Sequence, residues 1–361
     1  MTLKTRPIQA EGQFAESSLP LEAEELSTAK FAFTIRRVPV GELATLVYGS
    51  IAPRAGDLVL AKVVKIGEHS RLQWPSGRRA MLFPGDTIVV AYGNRYAPDQ
   101  FEAVVPPDLA ECHLVASGGV AGKVLSRHSG LRSPTIIKPL GLIGDAAGVP
   151  VNLDRYRLPH VSGVQKRANV IAVLGTSMNS GKTTAATYLI KGLVRAGRRV
   201  AAIKVTGTGA GNDLWMYQDA GAEPTLDFTD VGHVSTYRAS PTDILDCFTT
   251  LLAHAQAPGI TDVVLEVADG LLQRETAGLV QSSTFRSLID GALFCAGDAL
   301  GAAAGIEWLE QRAVPVLGVS GVISASPLGS SEARRATHLP IYTREQLADP
   351  KVAAAIVKPH S

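Results

Sequence analysis

The chain has 361 residues, enough for two or three domains, and 46% of them are hydrophobic, which is ample material for a sizeable core. Its 35 lysines and arginines nearly balance its 33 aspartates and glutamates, so charge gives no reason to expect nucleic acid or an anionic membrane as a partner. The composition therefore predicts a cytoplasmic protein whose partner is a small-molecule substrate, with a homodimer left open as its assembly.

Three cysteines, Cys112, Cys247 and Cys295, lie far apart and show no metal-binding spacing. An odd and sparse set argues against a disulfide framework and for a reducing compartment, so we interpret each as a small core residue. The N-terminus has no apolar run typical of a signal peptide, and the longest apolar stretches have the length of strands. No membrane-spanning segment is therefore expected.

The first 28 residues differ in composition from the rest of the chain. They contain five glutamates among scattered serines and prolines, without hydrophobic periodicity. Such a segment has too little apolar surface to fold by itself, so we predict a mobile acidic tail over residues 1–28. The alternative is that part of this segment packs onto the protein as a short helix.

Residues 29–165 are predicted to form a β-rich domain. Short runs of β-branched residues, such as residues 57–66 and 86–92, are separated by turns containing glycine and proline. Several short strands at close spacing are typical of a compact barrel or sandwich. A glycine cluster at residues 118–122 could wrap a phosphate, but no strand and helix flank it in the required order, so a tight turn is the better interpretation.

Residues 166–361 alternate between strand and helix patterns, as parallel α/β folds require. Residues 170–174 are continuously apolar, and residues 183–196 follow with apolar side chains at helical spacing, ending at Gly197. A later helix begins at Ser240, with proline in its first turn. The predicted fold class is thus α/β, a parallel-sheet P-loop domain preceded by a small barrel-like domain. Further strands are expected at residues 200–205, 262–267, 292–295 and 316–319.

A phosphate-binding loop is predicted between residues 170–174 and the helix that follows. The segment GTSMNSGKTT, residues 175–184, combines two glycines with a lysine and two threonines at the junction. Backbone N–H groups of such a loop point at phosphate oxygens, and the helix N-terminus adds partial positive charge. Lys182 can reach the β and γ phosphates, and the Thr183 hydroxyl can ligate Mg²⁺. The residues expected to bind the nucleotide are Gly175, Thr176, Asn179, Ser180, Gly181, Lys182, Thr183 and Thr184.

Five residues separate Gly175 from Gly181, one more than in the commonest form of this motif. This version resembles dethiobiotin synthetase and its relatives, and it is similar to the P-loop domain of the molybdopterin-guanine dinucleotide biosynthesis protein B. After the next strand, the segment from Lys204 to Gly207 resembles the one beside the transferred phosphate in dethiobiotin synthetase, which implies that role for Lys204. The resemblance covers about residues 168–345 and leaves the β-rich half outside.

The resemblance also implies a Mg²⁺ site. Asp213 matches the aspartate that holds Mg²⁺ in dethiobiotin synthetase, and Glu266 stands at that family's second acidic position. Mg²⁺ takes carboxylates together with phosphate oxygens and water, and Thr183, Asp213 and Glu266 supply suitable oxygens. For Asp213 the alternative is a helix N-cap. Glu266 ends an apolar strand, where a carboxylate is costly unless it is paired or bound to metal.

The segment after Glu266 departs from the dethiobiotin synthetase pattern Glu-Gly-Ala-Gly-Gly. Val267 and Asp269 replace two of its glycines, so this chain is not expected to bind the same substrate. We predict that Asp269 is catalytic, together with Lys182 and Lys204. Asp269 would act as a base or hold a cationic substrate, and the alternative is a residue that only shapes a turn.

Two functions are compatible with these motifs. The first is an enzyme that uses Mg-ATP to phosphorylate the carboxylate, or a similar oxygen, of a small molecule before a ligation. The second is an accessory protein, operated by ATP or GTP, in the assembly of a molybdopterin-like cofactor. No Asn-Lys-x-Asp guanine motif is present, which favours ATP over GTP. A binding module with a vestigial site is a third hypothesis, which the intact Gly-Lys-Thr-Thr segment disfavours.

Overall fold

The protein, described by a computed structural model for residues 17–357, contains two large β-sheets. Within that range, the first sheet has nine strands. Two further strands from the same stretch of chain, β5 and β6, form a separate hairpin. These eleven strands are β1 Ser17–Pro20, β2 Lys30–Phe31, β3 Thr45–Tyr48, β4 Leu58–Lys65, β5 Arg71–Gln73, β6 Arg79–Met81, β7 Thr87–Tyr92, β8 Phe101–Val104, β9 Cys112–Ala116, β10 Val120–Arg127 and β11 Thr135–Gly144.

Five strands of the first sheet close into a barrel. β4 pairs antiparallel with β7 and β11, β7 runs parallel to β10, and β9 bridges β10 and β11 to complete the ring. Leu58 and Leu60 of β4 belong to one buried cluster, whereas Val59 and Ala61 belong to another, as the strand period of two requires. The β-rich fold predicted for this part of the chain is confirmed, in its barrel form.

The second sheet is parallel throughout and has six strands in the part of the chain that the structure describes. They are β12 Asn169–Gly175, β13 Val200–Lys204, β14 Thr225–Asp227, β15 Asp262–Glu266, β16 Gly291–Cys295 and β17 Val316–Ser320. Their order across the sheet is β14, β13, β15, β12, β16, β17, so the strand before the phosphate loop is central. The predicted α/β fold class is confirmed.

Helices cover both faces of the second sheet. α2, α3, α9 and α10 supply the buried cluster on one face, and α4 to α8 supply the cluster on the other. No helix within residues 17–357 combines the length and the apolar character needed to cross a bilayer. The α-helices are α1 Ala23–Thr28, α2 Lys182–Arg195, α3 Asn212–Ala220, α4 Pro241–Ala255, α5 Arg274–Gln281, α6 Ser283–Leu288, α7 Ala299–Glu310, α8 Pro327–Thr337, α9 Arg344–Leu347 and α10 Pro350–Ile356. Short 3₁₀ helices occur at Phe33–Ile35, Val40–Glu42, Leu153–Tyr156, Phe228–Val231 and Val322–Ala325.

α4 begins where its sequence predicts, and α2, predicted at residues 183–196, spans Lys182–Arg195. At the start of α4 the Ser240 hydroxyl accepts the Asp243 N–H at 3.1 Å, and the Asp243 carboxylate accepts the Ser240 N–H at 3.2 Å. This reciprocal capping satisfies backbone donors that a helix leaves unpaired. The three cysteines are buried and free, as expected of small core residues.

Residues 17–28, the described part of the predicted acidic tail, have regular structure. β1 pairs antiparallel with β3, and α1 follows it. Leu21, between them, is only 9% exposed, and its N–H donates to Ala44 O at 2.9 Å. Backbone pairing and this apolar anchor fix a segment whose composition predicts mobility, so the prediction of a mobile tail is wrong for residues 17–28 and the short helix is present. Residues 1–16 lie outside the described residues.

The segment before the barrel joins the two sheets. Phe33 is fully buried in the cluster beneath α2 and α3, and its ring meets Trp215 edge-on at 6.5 Å between centroids. Arg36 pairs with Asp230 at 2.7 Å. An aromatic side chain from the first part of the chain therefore completes the core of the second.

Within the glycine cluster at residues 118–122, Gly118 and Gly119 lie in the turn between β9 and β10, and the other three residues begin β10. A Cβ on Gly118 would lie 2.0 Å from Gly209 O, on the segment after β13. Only glycine fits at that distance, so the cluster serves close packing between the two parts of the chain. The turn interpretation agrees with this placement.

Candidate functional site

The loop between β12 and α2 has the backbone shape that a phosphate loop needs. Gly181 is left-handed, with φ +95°, and a Cβ there would lie 2.8 Å from Gly321 Cα. A Cβ on Gly175 would lie 2.4 Å from Ser180 Oγ. Both glycines of the motif are thus required by close packing. Asn179 also has a positive φ, 61°, a conformation that asparagine adopts more readily than most residues.

The predicted loop residues do not all face open space. Asn179, Gly181, Lys182, Thr183 and Thr184 line a cavity of about 510 Å³ beside the loop. Gly175, Thr176 and Ser180 do not line it. The Thr176 N–H donates to Cys295 O at 3.0 Å, and Ser180 Oγ is buried without a hydrogen-bond partner among the described residues. Gly175, Thr176 and Ser180 therefore support the conformation of the loop from its buried side.

Lys182 opens α2 and is 5% exposed. Its Nζ donates to Ser177 O and to Asp269 O, both at 2.7 Å. Burial lowers the pKa of Lys182, because the protein interior stabilises its charge less well than water does. The ammonium group is held by neutral carbonyl groups, which phosphate oxygens could replace at a gain in charge complementarity.

Lys204, Asp213 and Glu266 meet where β13 and β15 end. Lys204 Nζ donates to Glu266 Oε1 at 3.1 Å and also contacts Asp213 Oδ2. Gly211, not Asp213, is the N-cap of α3, so the N-cap alternative is wrong. The Tyr217 hydroxyl, one turn further along α3, donates to Glu266 Oε2. The structure thus brings the predicted lysine and both carboxylates together, while their part in binding Mg²⁺ stays a prediction.

Ion pairing accounts for the burial of Glu266, which is 2% exposed. Burial alone would raise the pKa of Glu266, but the ammonium groups of Lys204 and Lys182 outweigh it and hold the pKa below its usual value. Burial likewise opposes the charge on Lys204, yet the carboxylates of Asp213 and Glu266 raise its pKa. Glu266 and Lys204 are therefore charged at neutral pH.

Asp269 follows β15 and adopts a φ of +61°. Glycine occupies the matching position in the pattern that this segment resembles, and aspartate is among the few other residues that tolerate this conformation. The Asp269 carboxylate accepts no hydrogen bond within residues 17–357, and burial raises its pKa to about 6 although Lys182 and Lys204 oppose the shift. Asp269 thus shapes a turn and also lines the cavity with an unpaired carboxylate.

A second cavity, of about 770 Å³, lies on the other side of the loop. The two cavities share Gly181, Thr184 and Val322. The loop after β17, residues 320–327, lines the larger cavity together with Arg334 and residues 343–346. The cavity is large enough for a nucleoside.

Several residues of the smaller cavity carry no recognisable signal in the sequence. Arg95, Tyr96 and Ala97 reach it from the hairpin between β7 and β8 of the barrel, and no sequence motif marks them. Tyr217 also escaped notice, although it follows Asp213 by four residues, a spacing that places two side chains on the same face of a helix. The barrel thus supplies part of the wall opposite the phosphate loop.

A parallel sheet with a glycine-bordered loop after its central strand, and a lysine that opens the next helix, has the architecture of a P-loop NTPase domain. No family model matches the sequence, and no curated protein matches it. Among solved structures, the kinase domain of the Escherichia coli tyrosine kinase ETK is similar over 43% of this chain and 68% of its own length, with 17% sequence identity and a TM-score of 0.31. So distant a likeness adds nothing to the description of the site, which rests on the geometry above.

Proposed function

We propose that this chain binds Mg-ATP at the phosphate loop and transfers the terminal phosphoryl group to an oxygen of a small-molecule acceptor, such as a carboxylate activated for ligation. The observation that carries the proposal is the meeting of Lys182, Lys204, Asp213 and Glu266 in one cavity at the end of the loop. In phosphoryl transfer, positioning and charge neutralisation provide most of the catalysis. Those residue types supply both.

The two cavities suggest how the nucleotide lies. Its base and ribose fit the larger cavity, its phosphates pass over Gly181 and Thr184, and its terminal phosphate enters the smaller cavity. The N-terminus of α2 and Lys182 then face the phosphate oxygens. The acceptor is expected in the same smaller cavity, against the wall contributed by the barrel.

The donor set in the smaller cavity suits Mg²⁺. Thr183, Asp213 and Glu266 offer a hydroxyl and two carboxylates, the oxygen ligands that Mg²⁺ prefers. When bound, Mg²⁺ would neutralise charge on the phosphate oxygens. Lys204 now neutralises both carboxylates, so we expect its ammonium group to turn from them to the transferring phosphoryl group when the metal binds.

Thermal unfolding with Mg-ATP, Mg-GTP and Mg²⁺ alone tests nucleotide binding. A ligand at 100 times its dissociation constant adds about 2.7 kcal/mol, which raises the midpoint of a domain of this size by about 5–10 °C. We expect this shift with Mg-ATP. A shift with Mg-GTP alone would favour the accessory protein of cofactor assembly instead, and no shift with either nucleotide would contradict the proposal.

Asp269 is proposed to accept the proton of an attacking water during slow hydrolysis of Mg-ATP. An acid accepts a proton only when it is deprotonated, and the pKa of Asp269 is raised to about 6. Phosphate release is therefore expected to rise as the pH increases through about 6 and then to level off.

The Asp269→Asn variant is expected to release phosphate about 100-fold more slowly or worse, and without this rise with pH. Asn tolerates a positive φ as Asp does, so the turn should survive the substitution. Steady-state phosphate release between pH 5 and pH 8 measures both properties. A variant with the wild-type pH profile would show that Asp269 only shapes the turn.

A further inference from the structure

Arg95, in the hairpin between β7 and β8, is a buried cation without an ion pair among the described residues. It is 6% exposed, and no carboxylate lies within ion-pair distance of it among the described residues. Its guanidinium is 3.0 Å from His69 Nε2 and donates to Gln100 Oε1 at 2.6 Å, while its Nε has no partner. A buried charge with neutral partners is costly, so this arrangement calls for a further reason.

The partners of Arg95 stay neutral. Burial, and then the charge of Arg95, lower the pKa of His69 to about 4, so His69 carries no charge at neutral pH and Gln100 never does. Burial also lowers the pKa of Arg95 to about 10, and Asp99 opposes this shift without forming an ion pair. The guanidinium therefore keeps a positive charge at neutral pH that no direct ion pair neutralises among the described residues.

The hairpin that carries Arg95 is fixed to the phosphate loop. Arg95 exchanges backbone hydrogen bonds with Ala103 at 2.8 and 3.0 Å, which sets the hairpin in register. At its tip, the Asp99 carboxylate accepts a hydrogen bond from Asn179 Nδ2 of the loop at 2.8 Å. Arg95 lines the same cavity as Lys182.

We propose that Arg95 binds an oxyanion, a phosphate or carboxylate group, that occupies the cavity between the barrel and the phosphate loop. The inference rests on the proposed function, because the terminal phosphate and the acceptor are both expected in that cavity. A guanidinium offers a planar set of donors that matches two oxygens of either group. The bound oxyanion supplies the charge that Arg95 lacks within the protein.

Calorimetric titration of the full chain tests this binding with three probes. Mg-ADP and Mg-AMPPNP differ in the terminal phosphate, and succinate added to the saturated Mg-AMPPNP complex stands for an acceptor carboxylate. Wild type is compared with Arg95→Gln, Arg95→Lys and Arg132→Gln. Arg132 is a matched control in the same part of the chain, because its side chain is 68% exposed.

If the oxyanion is the terminal phosphate, Arg95→Gln lowers the affinity for Mg-AMPPNP by about 30-fold and leaves the affinity for Mg-ADP unchanged. If the oxyanion belongs to the acceptor, both nucleotides bind with wild-type affinity, and only the affinity for succinate falls, by about 30-fold. The affinity of Arg95→Lys is expected to lie between those of wild type and Arg95→Gln, because lysine keeps the charge but lacks the planar set of N–H donors.

Equal affinity of wild type and Arg95→Gln for all three probes would overturn the inference. A uniform loss that includes Mg-ADP would also overturn it, because it would indicate a structural role for Arg95. Failure of the wild type to bind Mg-ADP would contradict the proposed function instead. Unfolding of Arg95→Gln without ligand checks its fold, and the midpoint is expected not to fall, because the substitution removes a buried charge that no direct ion pair neutralises among the described residues.

Discussion

The Lys182→Ala variant is expected to lose most or all of the rise in unfolding midpoint that Mg-ATP gives the wild type. In the free protein, Nζ is held by two carbonyl groups, and phosphate oxygens are far better partners for it. Removing one partner of a buried charge pair costs about 2–5 kcal/mol of binding. Because ligand at 100 times its dissociation constant adds only about 2.7 kcal/mol, that loss removes most or all of the shift.

Without ligand, the same variant is expected to stay folded. The substitution leaves Asp269 O without its donor, which costs about 1–3 kcal/mol, whereas Ser177 O keeps the Ser180 N–H at 3.4 Å. It also removes a buried charge that forms no direct ion pair among the described residues. Lys191→Ala, in the same helix and away from both cavities, is the matched control and should keep the full shift. A normal Mg-ATP shift in Lys182→Ala would show that the phosphates bind elsewhere.

The Glu266→Ala variant is expected to lose about 3–5 kcal/mol of unfolding free energy at pH 7. The substitution leaves Lys204 with Asp213 alone and removes the acceptor of the Tyr217 hydroxyl. Asp213→Ala should cost less, because the Asp213 side chain is 25% exposed and water can take its place, whereas that of Glu266 is 2% exposed. Urea unfolding of both variants measures the difference, and both should require more Mg²⁺ for phosphate release.

The pH dependence of this loss has a definite sign. The neighbouring ammonium groups hold the pKa of folded Glu266 below its usual value, so its contribution is complete above the unfolded pKa and declines as the pH falls through the folded one. Wild type and Glu266→Ala should therefore converge in acid. The double variant Lys204→Met/Glu266→Gln should recover part of the stability, because it removes both buried charges together. A smaller loss in Glu266→Ala than in Asp213→Ala would contradict a buried ion pair between Glu266 and Lys204.

The parts of the site that sequence predicts are those that lie on one motif or at strand ends. The loop at residues 175–184 is local, so its glycines, Lys182 and the strand and helix around it are readable together. Lys204 and Glu266 are far apart in sequence, but each ends a strand of one parallel sheet, and such ends share an edge. The register of β13 and β15 places the two residues directly opposite each other.

The parts that sequence does not predict depend on how the barrel meets the sheet. Nothing in the residues around Arg95 indicates that this hairpin reaches the phosphate loop, because the hydrogen bond between Asp99 and Asn179 joins residues 80 positions apart. The structure of residues 17–28 was missed for a similar reason, because backbone pairing with β3 is invisible in composition. Long-range pairing, rather than local preference, decides both.

Phe33 limits how this protein can be divided. Its ring lies in the core beneath α2 and α3, although it precedes every strand of that sheet by more than 130 positions. A shortened chain that begins at residue 166 would lack Phe33 and expose the apolar surface beside Trp215, which would make it prone to aggregate. Exchange of the barrel for another domain, whether by an engineer or by gene fusion, would have to bring an aromatic residue to the same place. The α/β part of the chain thus depends on its neighbour for a complete core.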